Sequence, residues 1–371
     1  MRSAKGCIRR RGPNRWWVSK PGPIDPDTGK RTEVGAPVRG SRVDAAVALA
    51  QLIGEGLSPE TTWDAFYRAV VEPSFATLSA RTAADYERLW RVELQPRIGG
   101  ELVSEMDWQR ANEVLTDISA PSVQRYAGRF LKKMCNMVIR DRSHLILVNP
   151  VDRNIQYAPM RRRPKRLVDS SEVHAFLYAL RGCEMEPAVL CMLGAGLRPE
   201  EARALLWEDV RPYELKGSTY AVLSVTKALT AVRGKSVFKD TKNSDSARDA
   251  VMGEPFASRL LELSAGMSGP LCPSGAPLEG DPASWYATPS AIAHRWEKWR
   301  REHGVCDVTE ENMRSSYASM MGEAMVPDSI VEGNMGHAPK TTKTQHYQRV
   351  TMRAKCLAAD MLAESLEDFR Q

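Results

Sequence analysis

The sequence has no apolar run near the roughly 20 residues that a membrane-spanning helix needs, and its start, MRSAKGCIRRRGPNRWW, has none of the apolar stretch of a signal peptide. A soluble, cytoplasmic protein is expected, with no membrane among its partners. Cysteine is sparse: seven residues, at 7, 135, 183, 191, 272, 306 and 356, with no C-x-x-C pair. An odd, scattered set indicates neither a disulfide framework nor a zinc site, so these thiols are expected to be buried as small hydrophobes, with no metal or cofactor bound. The phosphate-cradling G-x-x-x-x-G-K-[ST] loop is missing, as are internal repeats and low-complexity tracts.

What is present is ordinary globular material: 371 residues, 43% hydrophobic and 26% charged, enough for two or three domains with full cores. The net charge of +6 is mild, but its distribution is not. Residues 1 to 35 hold nine Lys/Arg against Asp25, Asp27 and Glu33, a local excess of 9 − 3 = +6, and the remainder balances to zero. A second basic cluster, Arg161, Arg162, Arg163, Lys165 and Arg166, surrounds Pro164. Such a segment is either a solvated tether or a linker that follows a phosphate backbone.

Three regions follow from the patterning. Residues 1–56 read as three short strands, Gly6 to Arg11, Arg15 to Lys20 and Arg31 to Val38, and then a helix capped by Ser41 and ended by Gly54 and Gly56. Of the neighbouring Trp16 and Trp17, one is expected in the core and one on the surface. Residues 57–160 are helical throughout. Their apolar stripes are Trp63/Phe66/Tyr67/Val70, Tyr86/Leu89/Trp90, Leu115/Ile118 and Tyr126/Phe130/Met134/Met137/Val138. Residues 161–371 open with helices (Ser170 to Leu180, Ala188 to Leu193, Glu200 to Leu206) and turn to strands (Tyr220 to Thr226, Ser236 to Lys239, Ala247 to Met252). They return to helix from Ser290. The expected class is α+β, mainly α: a three-stranded sheet with a helix, a helical bundle, and a mixed helical domain holding a small antiparallel sheet.

Chemistry gathers in the third region. In GLRPEEARALLW, Pro199 suits a first helical position and Glu200 and Glu201 suit the positive first turn, which puts Arg198 at a helix entry. Glu311 and Arg314 share one helical face, and Met335-Gly336-His337 precedes Tyr347 by about one loop. Each piece alone is unremarkable: a surface arginine, a salt bridge, a packed tyrosine.

In order along the chain, GLRPEEARALLWEDV (196 to 210), TKNSDSARDAV (241 to 251), ENMRSSYASMM (311 to 321) and MGHAPKTTKTQHYQRV (335 to 350) resemble the tyrosine recombinase (phage integrase) family. The resemblance extends over the whole chain as an arm-type DNA-binding domain (1–56), a core-binding helical domain (57–160) and a catalytic domain (161–371). Its N-terminal part, GCIRRRGPNRWWVS followed by DPDTGKR, is the less specific. It implies that Tyr347 attacks a DNA phosphodiester, that Arg198, Arg314 and His337 bind the scissile phosphate, and that Lys242 protonates the departing 5′-oxygen. Lys239 and Lys235 lie on the same stretch and are alternatives to Lys242. Guanidinium forks on rigid elements suit a phosphodiester gathering charge in flight, and a phenol of pKa about 10 needs cations nearby to react at neutral pH.

Glu311 stands where the family most often has histidine. Either it takes the Tyr347 proton or it orients Arg314. DNA contacts are expected from Arg9, Arg10, Arg11, Arg15 and Trp17 and from Arg161, Arg162, Arg163, Lys165 and Arg166. The function implied is a site-specific DNA recombinase, the integrase of a prophage or mobile element, which acts as a tetramer on double-stranded attachment sites. A host DNA-bending protein and an excision factor are possible further partners, and a nucleoid-associated location follows. A non-catalytic DNA-binding protein and a chromosome-dimer resolvase are the alternatives. Leu362, Leu366 and Phe369 form a C-terminal stripe that belongs either to this chain's core or, as the resemblance favours, to a contact with a neighbouring protomer.

Overall fold

The structure is a computed structural model that describes residues 6–24, 31–53, 57, 59–140, 145–151, 155–160, 166–239, 247–275, 277–305, 307–337 and 350–369. Lys242, Tyr347, Arg161, Arg162, Arg163, Lys165 and Cys306 lie outside the described residues, as does the Lys239 side chain. The chain divides into two compact units, 1–162 and 163–371.

In the first unit, β1 (Cys7–Gly12), β2 (Arg15–Ile24) and β3 (Arg31–Arg39) form an antiparallel sheet in the order β1-β2-β3. Helix α1 (Arg42–Ile53) starts at a reciprocal cap: Asp44 N–H donates to Ser41 Oγ at 3.3 Å, and Ser41 N–H donates to Asp44 Oδ2 at 2.6 Å. The helix packs on the sheet, with Val18 and Ala45 both fully buried.

Four helices follow: α2 (63–77), α3 (80–98), α4 (Trp108–Thr116) and α5 (Pro121–Arg140). Thr62, Ser79 and Asp107 cap the first three through side-chain oxygens. The apolar stripes meet in one core, where Tyr67 stacks on Trp90 at 4.5 Å and Tyr86 on Phe130 at 4.4 Å between ring centroids. Helix α1 also packs against α2, and sheet and bundle fall in a single compact unit.

The second unit is built on α6 (Val173–Leu180), α7 (Glu186–Gly194), α8 (Pro199–Ala202), α9 (Phe256–Ser264), α10 (Pro289–Glu302), α11 (Glu310–Glu323), α12 (Asp328–Met335) and α13 (Met352–Glu367). Strands β4 (Val210–Leu215), β5 (Ser218–Val225) and β8 (Arg248–Met252) make a sheet in the order β4-β5-β8, and β6 (Ala228–Val232) with β7 (Lys235–Lys239) makes a separate hairpin. Every residue of α7 is buried.

Three sequence expectations are corrected here. The helix expected over 200–206 is a single turn ending at Ala202, because Leu205 and Trp207 pair instead with the segment at 269–271. Leu271 N–H donates to the Leu205 carbonyl at 3.0 Å, and Trp207 N–H to that of Gly269 at 2.9 Å. Strands β4 and β6, which periodicity did not mark, complete the sheet and the hairpin. The C-terminal stripe belongs to this chain's own core: Leu362 and Leu366 are buried and only Phe369 is exposed, while the Leu366 carbonyl meets His174 Nε2 at 3.1 Å. Five cysteines, 135, 183, 191, 272 and 356, are buried and Cys7 is partly so.

Candidate active site

Arg198 is the residue from which α8 starts, with extended backbone and Pro199 behind it. Glu201, three residues on, takes the Arg198 N–H at 3.0 Å on one carboxylate oxygen and the Arg198 guanidinium at 2.6 Å on the other. The same carboxylate receives the Arg248 guanidinium at 2.8 and 3.2 Å. Glu201 is almost wholly buried; burial raises its pKa, but hydrogen bonding and charge from Arg248 and Arg198 outweigh that, and the net shift is downward. One buried carboxylate therefore fixes two arginines, one from α8 and one from β8.

Arg314 lies on α11 and reaches the chain around Arg198. Its Nη1 donates to the carbonyls of Gly196 and, at 3.1 Å, Met335, and its Nη2 lies 2.6 Å from His337 Nε2. Arg198 Nη2 donates to the Gly336 carbonyl at 3.2 Å. Both guanidinium groups and the imidazole thus meet at one turn, Met335-Gly336-His337. Burial, followed by the charges of Arg198 and Arg248, lowers the Arg314 pKa to about 10. A site that confines three guanidinium groups in this way is short of negative charge on its open side, which is what a phosphodiester supplies.

Two glycines make the close approach possible. Gly336 caps α12 in the left-handed conformation (φ 71°), and a Cβ there would sit 2.5 Å from an Arg248 nitrogen. Gly196, also left-handed (φ 66°), faces the Tyr317 ring, which a Cβ would meet at 2.4 Å, so Tyr317 can press on the turn that presents Arg198.

The sequence-derived site residues separate clearly. Arg198, Arg314 and His337 come together. Glu311 is exposed, and no ion pair joins it to Arg314 among the described residues; it lines a cleft of about 530 Å³ with Glu200, Arg203, Trp296, Arg300 and Glu310. Of the two roles left open for Glu311, support of Arg314 has no direct ion pair here: Arg314 has backbone carbonyls and His337 as partners. Lys235 is exposed at the start of β7. The segment expected to carry the nucleophile, 338–349, lies outside the described residues; Val350, the first described residue after it, packs where a Gly333 Cβ would be. Sequence reading missed Glu201 as the carboxylate that fixes both arginines, and missed Arg248, Asn334 and Tyr317 as parts of the site. A glutamate three residues after a helix entry was the available signal for Glu201.

On the N-terminal sheet, Arg9 stands opposite Trp17 and Arg10 opposite Trp16. Because side chains alternate, Arg9 and Trp17 take one face and Arg10 and Trp16 the other. Both tryptophans are half-buried: the Trp16 indole donates to the Gly40 carbonyl at 3.0 Å, and Trp17 covers Gly35. The expected basic set Arg9, Arg10, Arg11, Arg15 is exposed but does not share one face. Arg166 is held by Glu172 and, at 3.8 Å, by Asp169.

By sequence, no family model and no curated protein matches the chain. By structure, a complex of the Tn1549 transposon integrase with a circular intermediate DNA superposes with a TM-score of 0.62 at 17% identity, covering 81% of this chain and 99% of that one. A lambda integrase dimer bound to a COC′ core site gives 0.52 at 15% identity, covering 95% and 98%. A lambda integrase tetramer on a Holliday junction gives 0.51 at 15%, covering 92% and 97%. The chain has the integrase fold. Within that fold the arginine cluster sits on α8, β8 and α11, around the turn that follows α12.

Proposed function

We propose that this protein is a site-specific DNA recombinase of the integrase type. The observation that carries the reading is the convergence of Arg198, Arg314 and His337 on the turn at 335–337, with Arg248 fixed behind them by Glu201. The integrase fold, shared with proteins solved on DNA, supports it.

In this reading the Tyr347 phenol gives up its proton to Glu311 or water as its oxygen attacks the scissile phosphorus, the bond to the 5′-oxygen breaks, and a 3′-phosphotyrosyl link forms. Lys242 gives a proton to the departing 5′-oxygen. Arg198 and Arg314 hold the non-bridging oxygens, where charge develops, through guanidinium N–H groups other than those that fix them to Glu201, Gly336, Gly196 and Met335. Ligation reverses the step on a new strand, and the phosphotyrosyl bond conserves the energy of the original linkage. Three domains (1–56, 57–160, 161–371), a tetrameric synapse, and a host DNA-bending protein and an excision factor belong to the same proposal. The sheet face with Arg9 and Trp17 is the surface for arm-type DNA.

The test is a library of nicked duplexes from which the short fragment bearing the freed 5′-hydroxyl escapes after cleavage, so that a covalent protein–DNA adduct accumulates. Wild-type protein is expected to form the adduct, and Tyr347→Phe to abolish it while retaining DNA affinity within about threefold, since only the attacking oxygen is lost. DNA binding with no adduct on any duplex would leave a DNA-binding protein without the reaction.

A further inference from the structure

Asn334, on the last turn of α12, is buried and uses its whole side chain. Its Oδ1 accepts the Val251 N–H at 2.8 Å, and its Nδ2 donates to the Val251 carbonyl at 3.0 Å, to Tyr317 Oη at 2.9 Å and, more weakly, to the Ala195 carbonyl at 3.3 Å. Its own carbonyl accepts from Arg248 Nε at 2.7 Å. Among the described residues β8 is an edge strand, bonded to β5 on one side, and the amide stands where a further strand would supply ladder bonds to Val251.

Each partner belongs to an element that carries the site. Ala195 begins the turn that leads to Arg198. Val251 is on β8, three residues after Arg248. Tyr317 is on α11, about one turn from Arg314, and Asn334 itself lies three residues before His337. A buried amide has two donor protons and one carbonyl, and here they bind both backbone groups of Val251 on β8, the Tyr317 hydroxyl on α11 and, more weakly, the Ala195 carbonyl.

We infer that Asn334, together with Tyr317, is a positioning residue: the side-chain amide sets the distances between the elements that present Arg198, Arg248, Arg314 and His337 to the scissile phosphate. This rests on the recombinase reading. An apolar residue of similar volume would fill the space but leave the Val251 N–H and C=O unpaired at the sheet edge, and the elements would settle at new spacings. A displacement of about 1 Å at reacting groups costs on the order of 10²-fold in rate.

The experiment compares wild type with Asn334→Leu, Asn334→Asp and Tyr317→Phe in the full chain. The single-turnover rate of adduct formation at saturating protein is measured on a duplex with a normal scissile phosphate and on one with a methylphosphonate there, alongside DNA affinity. Asn334→Leu is expected to slow the normal reaction by about 10²-fold with affinity little changed. The rate ratio of phosphate to methylphosphonate should also fall, because arginines moved away from the non-bridging oxygens no longer distinguish an oxygen from a methyl group. Asn334→Asp keeps the volume and the acceptor for Val251 N–H but loses the donors, and should show the same change in ratio to a smaller degree. Tyr317→Phe removes one of the amide's acceptors and should cost less than either. A rate within threefold of wild type for both Asn334 variants overturns the inference, as does a slower rate with an unchanged ratio, which is the signature of a merely smaller folded fraction.

If wild type itself makes no adduct, the recombinase reading fails, and the arginine Nε–H resonances of ¹⁵N-labelled protein decide the positioning role separately. Displacement of the Arg248 and Arg314 signals by Asn334→Asp supports it, and unmoved signals refute it.

Discussion

Glu311 shows how far a single residue's neighbours can redirect a reading. From sequence it has two roles, base for Tyr347 or partner for Arg314. In the fold Arg314 is already engaged by Gly196, Met335 and His337, and Glu311 is exposed on the wall of the neighbouring cleft. The direct ion pair is gone, and the proton-acceptor role is the one left to test. If it holds, Glu311→Gln, which keeps shape but removes basicity, slows adduct formation by roughly 10²- to 10⁴-fold without weakening DNA binding. Single-turnover rates for wild type, Glu311→Gln and Glu311→His across pH check this, the histidine variant being expected to cleave. A Gln variant as fast as wild type at every pH removes Glu311 from the chemistry. Tyr317, the other phenol near the arginines, is no alternative nucleophile: it is buried, burial raises its pKa, and its oxygen is hydrogen-bonded to Asn334.

At the scale of elements, the N-terminal sheet separates two sets of side chains that the sequence runs together. Arg9 and Trp17 occupy one face; Arg10 lies across Trp16 on the other, its guanidinium 5.9 Å from the ring centroid. Deleting residues 1–56 is expected to weaken binding to arm-type sites and to reduce the slope of log affinity against log salt by about 0.9 for each phosphate that the sheet neutralises. If the face with Arg9 and Trp17 meets the DNA, Arg9→Ala, which also frees Glu33 from its 3.3 Å ion pair, should lower that slope more than Arg10→Ala on the opposite face. Mobility-shift titrations at several salt concentrations measure both, and an unchanged slope on deletion would assign the sheet a different partner. Core-site cleavage should survive the deletion, since no arginine of the active-site cluster comes from it.

At the scale of the molecule, the two units have separate apolar cores, one drawn from residues 63–151 and one from 168–366. The second is tied to pH through Glu201, whose folded pKa lies below the ordinary glutamate value of about 4.3. A depressed carboxylate contributes stability that is fully present above the unfolded pKa and is lost as pH falls through the folded one. Unfolding of the second unit should therefore become easier in acid, beginning near pH 4.3. Glu201→Gln should flatten that dependence while destabilising the unit at neutral pH by about 3 to 5 kcal/mol, because Arg248 is left as a buried cation without its carboxylate. Denaturant unfolding of the full chain between pH 3 and 7, followed by fluorescence, checks slope and offset together. An acid dependence equally steep in the Gln variant would place the titrating group elsewhere.

Local pattern determined a good deal by itself. The helical stripes of the bundle, the three N-terminal strands, the cap at Ser41 and the mainly helical α+β class all follow from periods of 3.6 and 2 and from turn chemistry, which act within a few residues. The order of the motifs around Arg198, Arg314 and His337 was equally legible. The tertiary structure alone decided which groups those side chains meet, because that depends on contacts between residues far apart in sequence: Glu201 with Arg248, Asn334 with Val251 and Tyr317, and Arg314 with the Gly196 carbonyl. It also decided that the helix beginning at Pro199 stops after one turn, and that Leu362 and Leu366 close the chain's own core. In each case burial and long-range pairing outweighed a local preference worth only a few tenths of a kcal/mol per residue.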